Sequence, residues 1–182
     1  MPRFTLFFIA SVMFSNVIFG KHLNSIDSSD IQTLNMFIGH WKGNLKIVNM
    51  GEVLHIIPCD LNIKPDSANQ ESLIWSMSFH GEQGTIEKPY KLLSSEESGK
   101  FLLDEGNSII IPEYFSENSL SNFYKVEENF YFVETTLLNA NEIRFRISVI
   151  SGQPELISGA SNDSNEIPQV ESHRIYTVQE AF

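Results

Sequence analysis

The sequence predicts an all-β protein: an antiparallel up-and-down β-barrel of eight to ten strands behind a short N-terminal helix, with a β-sandwich as the alternative. Three observations carry this. Short segments alternate apolar and polar side chains along most of the chain, the period of half-buried strands. Gly, Asn, Asp or Pro stand between most of those segments, as turns require. Helical spacing of apolar residues occurs only ahead of the first strand. No internal repeat or domain boundary is visible, so residues 21–182 read as a single domain, long enough to bury a core.

Residues 1–20 read as a secretory signal peptide. Arg3 supplies a positive start, Phe4 to Phe19 form an apolar run, and Gly20 is a small residue ahead of the polar stretch from Lys21 to Ser25. The run is short for a bilayer span. The expected address is therefore secreted or periplasmic, with no stable membrane insertion after cleavage.

Ser28, Ser29 and Asp30 offer capping side chains, and Ile31, Leu34, Phe37 and Ile38 then recur at helical spacing up to Gly39. This predicts a helix from about Asp30 to Ile38. Leu45 and Ile47 alternate with Asn44 and Lys46 until the turn at Asn49-Met50-Gly51. Val53 to Ile63 is a second strand, interrupted at Pro58. Leu73, Trp75, Met77 and Phe79 alternate with serines in the most regular stretch of the chain. Shorter strands are predicted around Tyr90–Leu93, Lys100–Asp104, Ser108–Ile111 and Ser121–Val126. Phe130–Leu137 and Glu142–Ile150 form a hairpin through Asn139-Ala140-Asn141. Residues 151–168 are rich in Ser, Gly, Asn and Pro and predict a long loop, either a lid or disordered, with a short strand only near Leu156-Ile157. Asn162-Asp163-Ser164 matches a glycosylation acceptor. A last strand covers about Gln169 to Val178.

Composition excludes several functions. With 12 basic against 23 acidic residues the net charge is −11, which opposes binding to nucleic acid and to anionic membranes. Removal of residues 1–20 takes Arg3 and no acid, bringing the charge to −12. Cys59 is the one cysteine and forms no internal disulfide; it reads as a buried, inert thiol. No zinc-ligand spacing, phosphate loop, dinucleotide fingerprint or nucleophile elbow is present. Glu127-Glu128 and Glu96-Glu97 are adjacent pairs that would point to opposite strand faces.

Phe37-Ile38-Gly39-His40-Trp41-Lys42-Gly43 places a Gly-x-Trp between the short helix and the first strand. This resembles the opening of the lipocalin and fatty-acid-binding, or calycin, superfamily, and of small exported bacterial lipocalin-like domains. The resemblance implies a barrel whose closed end is plugged by the Trp, with a late basic residue stacked on it. Gly39, Trp41 and Arg174 are the matching residues. The strand count is nearer to ten-stranded members, which include haem-binding nitrobindin-type barrels. The surroundings of His173 do not match their ligand, so no cofactor or metal is expected.

The function these readings favour is a secreted lipocalin-like binding protein for a small hydrophobic molecule in the barrel interior. Trp75, Met77, Phe79, Phe101, Phe123, Phe130, Phe132 and Phe145 are the candidate wall, because aromatic side chains at strand spacing can line an apolar pocket. A ligand-free exported interaction module with an unidentified protein partner is the alternative. An enzyme on the same scaffold ranks third: Glu134 shares a strand face with Phe130 and Phe132, but no catalytic residue is assigned.

Overall fold

The computed structural model describes residues 29–159 and 169–182. The predicted signal peptide, the acceptor at Asn162 and the rest of the predicted loop beyond Gly159 lie outside the described residues. The described residues begin with a helical turn, α1 (Ser29–Thr33), that tightens into a 3-10 turn (Leu34–Phe37). Ten strands follow: β1 (Gly39–Asn49), β2 (Glu52–Asp66), β3 (Asn69–Gly81), β4 (Gly84–Ser94), β5 (Lys100–Gly106), β6 (Ile109–Ser116), β7 (Ser119–Val126), β8 (Asn129–Asn139), β9 (Glu142–Ser158) and β10 (Val170–Ala181). Each pairs antiparallel with its neighbour in sequence, and β1 pairs with β10, so the sheet closes into an up-and-down barrel. The sandwich alternative therefore falls. Closure rests on a short seam, Lys46–Asn49 against Thr177–Glu180, and it removes the edges that an open sheet would expose.

The predicted loop at 151–168 is corrected in its first half. β9 continues through Ser158, with Leu156 and Ile157 opposite Ser172 and Glu171. Register shifts near His173 and Ile175 absorb the mismatch, as bulges do in strongly twisted strands. Polar composition hides this strand, because a strand with both faces near water carries no alternation.

The helix occupies one end of the barrel. Leu34 and Phe37 are fully buried, and the Phe37 ring lies 6.2 Å from Trp75 and 6.3 Å from Phe115, edge-on to the latter. Around them pack Leu61, Ile63, Leu73, Leu92, Phe101, Leu120, Ile143 and Phe145. Trp41 lies on the same inward face as Leu61 by way of Leu61's partner position, and its indole N–H donates to the Phe37 carbonyl at 3.0 Å. The glycine two residues earlier has a steric reason. A Cβ on Gly39 would sit 3.2 Å from the indole ring, so a side chain there would displace the tryptophan that ties helix to strand.

Asp66 secures the β2–β3 turn at this end. One of its oxygens accepts the Ala68 N–H at 2.9 Å, and the other accepts Lys91 Nζ at 2.9 Å and the Ser72 hydroxyl at 3.3 Å. These bonds, the backbone one foremost, hold its carboxyl below the usual range. Its contribution to stability is present at neutral pH and is lost as pH falls through that lowered value.

Emptying the plug tests its weight in the fold. Phe37→Ala is expected to lower unfolding free energy by about 3–5 kcal/mol, the range for a fully buried aromatic, as read from urea titration. Gly39→Ala is expected to lower it by about 1–3 kcal/mol through overpacking against Trp41.

Candidate functional site

Strand alternation, anchored on the buried positions, decides which side chains face the barrel axis. On β6 these are Ile111, Glu113 and Phe115, opposite Leu103 and Phe101 on β5 and Leu120 on β7. On β7 they are Leu120, Asn122, Tyr124 and Val126, and on β8 Tyr131, Val133 and Thr135. On β9 they are Phe145, Ile147 and Val149. On β4, Tyr90 shares the face of Trp75 and Lys88 that of Met77.

This arrangement divides the interior. Below, the helix and the core cluster fill the space. Above Phe115, the axis-facing Leu103, Glu105, Tyr124, Tyr131, Val133 and Ile147 are only partly buried. Val133 and Ile147 lie in the middle of fully laddered strands, so solvent reaches them through the lumen. Glu113 and Asn122 form the floor of that open half. They are 7% and 3% exposed, and the Asn122 amide donates to a Glu113 carboxylate oxygen. The remaining amide oxygen, Oδ1 of Asn122, is buried without a hydrogen-bond partner.

The electrostatics follow from burial. Desolvation pushes the Glu113 carboxyl up to about 8, against the Asn122 hydrogen bond and with a further push from the Glu105 charge. Glu105 is itself raised by burial and lowered by Lys88. Tyr124 is raised by burial and by Glu105, Tyr90, Tyr131 and Glu113, which places these groups around one space. The Tyr124 and Tyr131 rings stack at 5.3 Å and 7°. A carboxyl that stays protonated at neutral pH beside phenols and an amide can donate or accept a proton or hydrogen bond at a bound group.

At the barrel end away from the helix lies a cleft of about 500 Å³ lined by Asn49, Met50, Ser151, Glu155, Arg174 and Tyr176, among others. Tyr176 reaches inward from it, where Asn129 and Tyr131 act on its hydroxyl.

Of the predicted wall residues, Trp75, Met77, Phe79, Phe101 and Phe145 lie in the packed core. Phe123, Phe130 and Phe132 are corrected: they point outward. Phe123 is 61% and Phe132 39% exposed, and Phe123 stacks on Phe130 at 5.4 Å. Phe123 shares its face with Ser119, Ser121 and Lys125, whereas Leu120, Tyr124 and Val126 supply the more apolar, inward face. Phe130 and Phe132 share theirs with Glu134, whose carboxylate lies 3.5 Å from Arg144 on the outer surface.

Arg174 is also corrected. Trp41 stands near the start of β1, whereas Arg174 precedes the β10 residues that pair with the end of β1. It lies at the mouth, ion-paired and hydrogen-bonded to Glu155, so no guanidinium from this strand stacks on Trp41. Elsewhere, Cys59 is buried and its thiol is pushed up to about 11, chiefly by desolvation. His40 and His80 flank Asp60 on the outer wall at 3.1 and 2.7 Å, and His173 Nδ1 lies 2.9 Å from the Ser151 carbonyl. Among the described residues, no group of three His, Cys, Asp or Glu side chains is arranged to hold a metal ion.

The chain matches no protein-family model and no curated protein. Among solved structures it is similar to the S-type phycobiliprotein lyase CPES from Guillardia theta. The two are 8% identical with a TM-score of 0.55, over 83% of this chain and 89% of that one. At this identity the likeness concerns the fold. The chain is thus a closed, ten-stranded antiparallel barrel whose fold is shared with that protein.

The Glu113 carboxyl makes stability depend on pH with a definite sign. Its folded value, about 8, exceeds the ordinary 4.5, so the folded state holds a proton that the unfolded chain releases. Its contribution declines as pH rises from about 4.5 to about 8. Glu113→Gln is expected to flatten that decline and to make the protein more stable than the parent at pH 8, as measured by urea titration at pH 5 and pH 8.

Proposed function

We propose that this chain is an exported lipocalin-like protein that carries a small, largely hydrophobic molecule in the open half of its barrel. The observation that carries this reading is the partial exposure of Val133, Ile147, Tyr124 and Tyr131 on the axis-facing side, above a helix that seals the other end. Apolar surface facing an accessible lumen favours an apolar guest. The surrounding phenols give such a guest points of orientation. The fold shared with a phycobiliprotein lyase is compatible with this role and says nothing of the ligand. Export rests on the order of residues 1–20.

Native mass spectrometry with an absorbance scan, on protein recovered from its exported compartment, tests the reading. The expected result is an adduct of small-molecule mass that Val133→Trp, a plug of the lumen, abolishes. A bare chain mass, together with no binding from an extract of the source, would overturn it.

One feature favours an interaction module instead. Phe123, Phe130 and Phe132 form an outward aromatic cluster with Lys125 Nζ 5.4 Å from the Phe130 ring centre, and grouped exposed aromatics often mark contact surfaces. Under that reading Phe123→Ser abolishes partner capture and leaves the adduct intact. Under the carrier reading it changes solubility alone.

A further inference from the structure

The open half of the barrel is apolar along part of its wall, yet its floor is built from groups that accept hydrogen bonds. Asn122 Oδ1 is the strongest sign. A buried amide oxygen without a partner carries a desolvation cost, and native structures rarely leave one without a reason. Its amide nitrogen donates to Glu113, and no hydrogen bond from the described residues reaches the oxygen.

We infer that the Glu113–Asn122 pair is a recognition site for an organic cation, an ammonium group on an apolar or aromatic body that enters through the mouth. The inference rests on the lumen being the ligand site, as proposed above, and adds the chemistry of the guest. An ammonium brings donors and no acceptor. One N–H satisfies Asn122 Oδ1, a second meets the Glu113 carboxylate, and the phenols of Tyr90, Tyr124 and Tyr131 stand around the same space.

Charge selects the same class. The groups that face Glu113 are Asn122 and Tyr124 from β7 and Glu105 from β5, and Lys88 on β4 acts on Glu105. An anionic guest meets two carboxyl groups on the floor and wall. A neutral alcohol satisfies the amide oxygen but leaves Glu113 protonated, with no ion pair formed. A cation satisfies the oxygen and pairs with the carboxylate. As it docks, Glu113 gives up its proton to solvent, so the neutral carboxyl and free ammonium become an ion pair and a released proton. The apolar walls at Val133 and Ile147 then cover the body of the guest.

Phenethylamine, 2-phenylethanol and phenylacetate share one ring and differ in charge, and isothermal titration calorimetry on the full chain at pH 7 compares them. The ammonium is expected to bind at least tenfold more tightly than the alcohol, and phenylacetate most weakly. Titrations in buffers of different ionisation enthalpy are expected to show proton release approaching about one per ammonium bound, with affinity rising roughly tenfold per pH unit between pH 6 and 8. Glu113→Gln is expected to erase both the preference and the proton release, and Glu134→Gln, on the outer wall, to change neither. Equal binding of alcohol and ammonium, no proton release, or no binding of any of the three overturns the cation assignment. The comparison on the unaltered chain stands even where Glu113→Gln fails to fold. An adduct in native mass spectrometry without probe binding removes the cation and keeps the carrier; an ammonium preference without an adduct keeps the cation site.

Discussion

The width of a ten-stranded barrel is the constraint on which the rest of this structure depends. Eight strands enclose a space that side chains just fill, and diameter grows with strand number. Ten strands leave more room than their inward residues occupy, and an empty apolar space forfeits packing contacts along its whole lining. The chain answers at one end with its own helix: Leu34 and Phe37 enter as core residues, and the Trp41 indole holds the helical segment to β1 through the Phe37 carbonyl. At the other end no element of the described chain plays that part. Leu103, Val133 and Ile147 share the walls there with Glu105, Tyr124 and Tyr131, all partly exposed, and the cleft beside Tyr176 lies at that end.

That division explains why the sequence disclosed the fold better than the site. The helix, most strands and the hairpin at Asn139-Ala140-Asn141 were legible, since each is a local pattern: apolar spacing of 3.6 or 2, ended by turn residues. Gly39 and Trp41 were legible as a motif, and the steric reason lies within two residues. Arg174 was not. Its distance from Trp41 depends on the register of β10 against β1 and on the shifts along β9, which no local pattern encodes.

The floor of the lumen was missed for a related reason. Phenylalanines in β7 and β8 suggest the inward face by their hydrophobicity, yet in both strands the opposite phase is inward. The signal was present in the companions: Phe123 keeps company with two serines and a lysine, while Asn122 lies between Leu120 and Tyr124. Taken as whole faces rather than as single aromatics, Ile111-x-Glu113-x-Phe115 and Leu120-x-Asn122-x-Tyr124 each put one polar group among inward apolar ones. What alternation alone does not disclose is that these two groups meet. That follows from the β6–β7 register, which sets Phe115 opposite Leu120 and so brings Glu113 to Asn122.

Glu113 also shows how function and stability diverge in this fold. A leucine at its position would suit the neighbouring Phe101 and Ile111 and would carry no desolvation penalty. The carboxyl remains protonated through burial instead, and the amide that holds it leaves its own oxygen unsatisfied. Two adjacent departures from apolar packing, placed where the helix plug ends and the accessible lumen begins, are hard to assign to folding alone. Local rules of this kind are broken mostly where a protein must bind or react. The outer-wall pair Glu134–Arg144 makes the contrast: there both charges remain in contact with water, and the arrangement asks nothing of a ligand. The same residue types thus mean different things on the two faces of one sheet, and barrel closure is what makes those faces different.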